Sequence, residues 1–263
     1  MTQGVRERSP FRYGERTAGT SPIRPLGQRG VTALGLAFPN PLGLAAGFDR
    51  TGELISSLRP HGFGHVEIGT ITPATGFSGA LKRTSSLMRV GVNIGSARPG
   101  LDDRVIEDYV AMLKQVSRFS DYVVANLTAP TLRRDGNTAG VDKLVKRLSI
   151  ARDVLSAVEG HRVPLLLKIE AGVRDTRFPA AVMAARVGGI DGVVLVSDCV
   201  ERIGAISSYL DGISVISVGG VRTTEDVVAR LAAGASLVQV HGAFANSGAA
   251  RVRRILKELR AHG

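Results

Sequence analysis

From residue 40 onward the chain repeats one pattern, a short apolar run followed by a polar break and, in most intervals, a longer amphipathic stretch. The runs are "NPLGLAAGF" (40–48), "HVEIGTIT" (65–72), "MRVGVNIG" (88–95), "DYVVANLT" (121–128), "VPLLLKIEA" (163–171), "GVVLVSD" (192–198), "SVISVGGV" (214–221) and "SLVQVHGAF" (236–244). They are nearly continuous rather than alternating, as parallel strands covered on both faces require. Between them, "DDRVIEDYVAMLKQVSRF" places Val105, Ile106, Tyr109, Val110 and Leu113 on one helical face. "GVDKLVKRLSIARDVLSAV" does the same with Leu144, Leu148, Ala151 and Leu155. "TTEDVVARLAAG" opens on an N-cap Thr with acids in its first turn and closes on Gly234. Eight strands alternating with helices predict an α/β chain folded as a (β/α)8 TIM barrel over residues 31–263. "VTALGLAF", just ahead of the first run, predicts a short β-hairpin. "CVERIGAISSYLDGI", between the sixth and seventh runs, is brief and predicts an abbreviated helix.

Residues 1–30 break the pattern. They hold six Arg, two Glu and three Pro without a sustained apolar period, and read as a basic, flexible N-terminal extension. Their apolar residues never recur on one face, which excludes an amphipathic membrane helix. No apolar run approaches the roughly 18 residues that span a bilayer, and no secretory h-region is present. The lone Cys199 leaves no intrachain disulfide framework, and the expected compartment is a reducing cytoplasm. A net charge of +11 would fit a nucleic-acid partner, but the basic residues are scattered and Trp is absent. An ordinary solvated basic surface is the better reading.

In such a barrel the working residues stand at the C-terminal ends of the strands. Those ends carry Ala45, Ala46 and Gly47 with Asp49 and Arg50, then Gly69-Thr70, Asn93, Asn126 with Thr128, Lys168, Ser197-Asp198, Gly219-Gly220 and His241-Gly242. No His, Asp and Glu set has metal-ligand spacing, so no metal is expected. No Ser–His–Asp arrangement can be argued either. "SVGGV" and "VHGAF" put uncluttered backbone N–H groups side by side after the last two strands, where barrels of this kind hold a phosphate, aided by helix N-termini. Lys168 ends an otherwise apolar run and calls for an anion or a polarisable ring.

"NPLGLAAGFDRTGE", "HGFGHVEIGTITP", "GVNIG", "DYVVANLTAP", "PLLLKI" and "SVGGV…AGASLVQV" together resemble the dihydroorotate dehydrogenase family of FMN-dependent barrels, most of all its membrane-associated class. The resemblance runs from about residue 31 to 244. It implies an FMN site in which Ala45, Ala46, Gly47 and Thr70 line the flavin. Asn93, Asn126 and Lys168 would bond its ring and ribityl chain. Gly219, Gly220, His241 and Gly242 would hold its phosphate, although "HGA" replaces the family's Tyr-Ser/Thr-Gly.

The substrate side departs from that pattern. Where the membrane-associated class has a Ser as base, this chain has Ala129, which cannot take a proton. Arg50, Thr131 and Ser197-Asp198 replace the family's substrate-contacting Lys, Asn and Asn-Thr. An Asn-bearing loop expected within 83–90 is missing, and the long insertion after the sixth strand is reduced. Asp198, Cys199 and Thr128 are the replacement candidates for proton chemistry, with Arg50, Thr131 and Ser197 on the substrate. These departures predict an FMN-dependent oxidoreductase acting on CH–CH bonds of a small ring substrate other than dihydroorotate, in a secondary or biosynthetic pathway. Two alternatives stay open: a catalytically inactive scaffold or partner subunit, and a dihydroorotate dehydrogenase of pyrimidine biosynthesis with relocated residues. A homodimer or a partner protein is compatible with either.

Overall fold

The computed structural model describes residues 30–77, 88–129, 132, 138–172, 174 and 177–261. The predicted extension therefore lies outside the described residues except for Gly30, as do Thr131 and most of the expected 83–90 loop. Two short strands, β1 (Val31–Ala33) and β2 (Leu36–Phe38), pair antiparallel as the predicted hairpin. Eight parallel strands follow. They are β3 (Leu42–Asp49), β4 (His65–Ile71), β5 (Arg89–Ile94), β6 (Tyr122–Asn126), β7 (Leu165–Glu170), β8 (Gly192–Val196), β9 (Ser214–Val218) and β10 (Leu237–Val240). They pair in sequence order, and β10 closes the barrel on β3 with Val238 opposite Leu42.

Among the described residues seven α-helices run outside or between: α1 (Ile55–Leu58), α2 (Asp103–Val116), α3 (Thr138–Glu159), α4 (Ala180–Val187), α5 (Val200–Leu210), α6 (Thr224–Ala232) and α7 (Gly242–Ala261), the last kinked at Gly248. The predicted apolar face of α2 is buried, and Asp102 caps the helix by accepting from Val105 N. At α6 the expected Thr cap is a reciprocal capping box between Thr223 and Asp226. One expectation is corrected. The helix between β8 and β9 is not abbreviated: α5 has 11 residues, more than α4 or α6. The economy falls on the loop before it, where only Ser197, Asp198 and Cys199 separate β8 from α5.

Apolar residues form two bodies. The larger fills the space between barrel and helices. The smaller is the barrel interior, where Ala45, Val124, Leu166, Val194, Ile216 and Leu237 meet Ala33 and Phe38 of the hairpin. The hairpin thus stoppers the N-terminal end of the barrel. Phe38 stands edge-on to His65 at 5.6 Å, and Leu34 N donates to Ser214 Oγ at 3.1 Å. Two glycines make this packing feasible. A Cβ on Gly43 would fall 2.2 Å from the His65 ring, and one on Gly91 2.4 Å from the Tyr122 ring. With one end sealed, the open mouth lies at the strands' C-terminal ends.

Candidate functional site

Inside this apolar barrel a column of polar side chains rises toward the mouth. Glu67, in the middle of β4, is fully buried. Its Oε1 accepts from Gln239 Nε2 at 2.6 Å and from Tyr122 OH at 3.4 Å, and its Oε2 from Asn93 Nδ2 at 3.4 Å. Asn93 Oδ1 accepts from Thr70 Oγ1 at 3.0 Å, and that hydroxyl accepts from Asn126 Nδ2 at 2.9 Å. Asn126 Oδ1 then takes both the N–H and the hydroxyl of Thr128, at 3.0 and 2.7 Å. A continuous chain therefore links the buried carboxyl to the rim. Burial pushes the Glu67 carboxyl above its ordinary range, against the opposing charge of Lys168 and the donated hydrogen bonds.

Above the column opens a cavity of about 560 Å³, within the roughly 300–1,000 Å³ usual for cofactor and ligand sites. One side of its lining is Ala45 and Ala46 of β3, Thr128 beyond β6, and Lys168 and Glu170 of β7. The other is Val196, the Val218–Arg222 turn, Gln239, His241, Gly242 and Arg251. Eight of the residues singled out in the sequence meet here: Ala45, Ala46, Thr128, Lys168, Gly219, Gly220, His241 and Gly242.

The rim is built by positive-φ glycines, Gly219 at +116° and Gly220 at +64°. A side chain at Gly219 would meet Ser197 O at 2.8 Å, so the turn is packed as tightly as backbone allows. Behind it the buried guanidinium of Arg230 donates to Gly219 O at 2.5 Å. Gly47 lies beside His241, whose Nε2 would be 3.2 Å from an added Cβ. Just ahead of α6, Asp226 accepts from Arg222 N and Thr223 N, at 2.8 and 3.0 Å, and its own N–H donates to Thr223 Oγ1 at 3.3 Å, so these three amides are committed to the capping box. The cations at this rim are side chains, Arg222 and Arg251, which sequence reading did not single out.

Other expected residues stand elsewhere. Thr70, Asn93 and Asn126 belong to the internal chain and do not line the cavity; neither does Gly47. Asp198 and Cys199 are also outside the lining, because the three-residue turn from β8 carries them straight into α5. Cys199 is the N-cap of that helix, and its thiol donates to Glu201 Oε2 at 3.2 Å. Ser197 Oγ accepts from Cys199 N at 3.1 Å. Arg50 is exposed past the end of β3, where Asp49 accepts three backbone N–H bonds from Thr51, Gly52 and Leu54. Among the described residues no cluster of His, Cys, Asp and Glu could hold a metal, and no helix is long and apolar enough to cross a membrane. Glu67, Gln239 and Glu170 were visible in the sequence as lone polar residues inside or ending apolar runs.

Comparison with known proteins agrees with this architecture. The model of the dihydroorotate dehydrogenase family matches residues 30–80 and 170–262. The dihydroorotate dehydrogenase (quinone) of Clavibacter michiganensis subsp. michiganensis is 33% identical over 300 residues, covering 85% of each chain. That of Stenotrophomonas maltophilia is 30% identical over 291 residues, covering 87% of this chain and 83% of the relative. Both alignments are longer than this whole 263-residue chain, so the relatives carry stretches it lacks. The fold is also that of the DHODH of Eimeria tenella in complex with ferulenol, with a TM-score of 0.75 at 22% identity over 91% of this chain and 85% of that one. In sequence and in fold, the chain belongs to the dihydroorotate dehydrogenase family of oxidoreductases.

Proposed function

We propose that this protein is an FMN-dependent oxidoreductase whose reducing substrate is a small ring compound other than dihydroorotate. The observation that carries the flavin half is the single cavity that joins a polar floor, Lys168 and Gln239, to a glycine-built rim ringed by Arg222, His241 and Arg251. A flat ring suits the floor and a phosphate suits the rim, where guanidinium groups and side-chain-free backbone converge. Bound FMN would supply the electron-accepting chemistry that no side chain here provides. Lys168 would meet the ring and Gly219, Gly220 and Gly242 the phosphate.

The substrate half rests on what the mouth offers a proton. Ala129 offers nothing, and the Thr128 hydroxyl is already donated to Asn126 Oδ1. Glu170 is the lining carboxylate, two residues beyond Lys168, which pairs with Asn126 of β6. In this reading Glu170 is the proton acceptor, and its charge favours a cationic or neutral ring over an acidic one.

The first test is an absorbance spectrum of the purified protein, followed by heat release and identification of the chromophore. The expected result is an oxidised-flavin spectrum with FMN released. A colourless protein that also fails to bind added FMN would overturn the reading and favour a barrel retained as a partner subunit. With flavin bound, anaerobic mixing with dihydroorotate is expected to leave the spectrum oxidised; rapid bleaching would show a dihydroorotate dehydrogenase whose base has moved. Once a reducing substrate is found, Glu170→Gln should retain flavin and slow bleaching by about 10²–10⁴-fold.

A further inference from the structure

Gln239 presents a buried polar atom that the described residues leave unused. The residue exposes none of its surface and lies in the wall of the cavity. Its amide nitrogen donates to Glu67 Oε1 at 2.6 Å, while its Oε1 has no hydrogen-bond partner among the described residues. An orphaned carbonyl oxygen at that depth is destabilising unless something donates to it. Glu67 fixes which end of the amide is left over. With its Oε1 accepting from Gln239 Nε2, an ionised Glu67 presents acceptors alone, so the –NH₂ end turns to Glu67 and the C=O end away from it. Tyr122 and Asn93 hold Glu67 from its other sides.

We infer that Gln239 is a ligand-reading residue whose Oε1 accepts an imide or lactam N–H from a ring seated on the cavity floor, and that Glu67 is the positioning residue that keeps this oxygen presented. The class of ligand is a planar heterocycle carrying N–H beside C=O, with the carbonyl facing the ammonium of Lys168. A flavin's pyrimidine edge has this pattern, so the inference deepens the flavin reading and rests on it. A saturated ring or a purely aromatic hydrocarbon would leave the oxygen unpaired and is selected against. Because Gln239 is closed over, a ligand reaches it after a small side-chain displacement at the floor. Lys168, on a flexible four-carbon stem and half-buried beside the same carboxylate, is the lining residue able to give it.

The test uses FMN labelled with ¹⁵N at its imide nitrogen, bound to the full-length protein and observed by proton-detected NMR, with affinity measured separately by quenching of flavin fluorescence. The expected result is a resolved imide N–H, protected from solvent exchange, in the wild-type complex. In Gln239→Leu that protection should be lost, with FMN bound about 10-fold more weakly, as expected for one buried hydrogen bond. Glu67→Gln, nearly isosteric, lets the new amide donate to Gln239 Oε1 and should reduce the protection while FMN stays bound. An imide N–H exchanging at the free rate in wild-type complex, or protection unchanged in Gln239→Leu, would overturn the assignment. Should wild type bind no FMN at all, the flavin reading itself fails and this assignment falls with it.

Discussion

His65 is neutral because of where it sits. Its ring is fully buried between Phe38 and Tyr122, neither nitrogen has a partner among the described residues, and desolvation lowers its pKa to about 3. Between that value and its ordinary 6.5 the unfolded chain takes up a proton that the native barrel refuses. Stability therefore falls as pH drops below 6.5, by about 1.4 kcal/mol per pH unit from this group alone. Glu67 acts with the opposite sign: its raised pKa lets the native state keep a proton above pH 4.5, a contribution present in acid and lost as pH rises through the folded value. The two windows overlap from pH 4.5 upward, so the useful measurement is a difference. The pH dependence of urea-unfolding midpoints for His65→Leu should lack the acid-side decline seen in wild type. Parallel curves for the two proteins would show that His65 is not held neutral. Its neighbour Gly43 belongs to the same unit, since Gly43→Ala places a methyl within the ring's own volume. That change should unfold the protein or cost several kcal/mol, of the order of 1–3 kcal/mol or more for overpacking, read by the same midpoint.

Among the elements, the β7–α4 connection shows how a loop beside the cavity is held. Arg202, on α5 and 2% exposed, donates to Ala171 O at 2.8 Å, Arg177 O at 3.0 Å and Arg174 O at 3.3 Å, and its guanidinium lies 5.0 Å from the Phe178 ring centroid. One cation thus gathers carbonyls from the chain that leaves Glu170. Arg202→Met keeps much of the apolar stem and removes the donors, and should cost about 2–4 kcal/mol. Hydrogen exchange at Ala171, Gly172, Arg174, Arg177 and Phe178 should accelerate while the β3 and β4 amides remain slow; a uniform acceleration would mean global loosening instead. The strands themselves were legible in the sequence because both faces of each are covered, so apolarity persists along the run. The same property hid the floor: in "HVEIG" and "SLVQV" a polar residue among apolar neighbours reads as noise until the closed barrel brings Gln239 Nε2 within 2.6 Å of Glu67 Oε1. The strand-end glycines were legible because only the turn, not a partner, demands them. Asp198 and Cys199 fall outside the cavity lining because only three residues separate β8 from α5, a length the apolar pattern does not reveal. Arg222 and Arg251 come together only through the path of α7, which no short pattern encodes.

The whole molecule is a ring whose seam joins its first barrel strand to its last. Val238 pairs with Leu42, so the two halves of that contact are separated by about 200 residues of chain. Synthesised at about 5–20 residues per second, β3 waits on the order of 10–40 s on the ribosome for its closing partner. Throughout that interval a nascent sheet of β3 to β9 has an open edge at either side and an incomplete floor, because Gln239 arrives with the seam. Chains released before residue 237 should accordingly be captured by chaperones or degraded, rather than accumulating as a smaller folded barrel. For a cell, the quality check on this protein is therefore its closing barrel strand: a premature stop anywhere ahead of residue 237 leaves nothing that can hold a ligand.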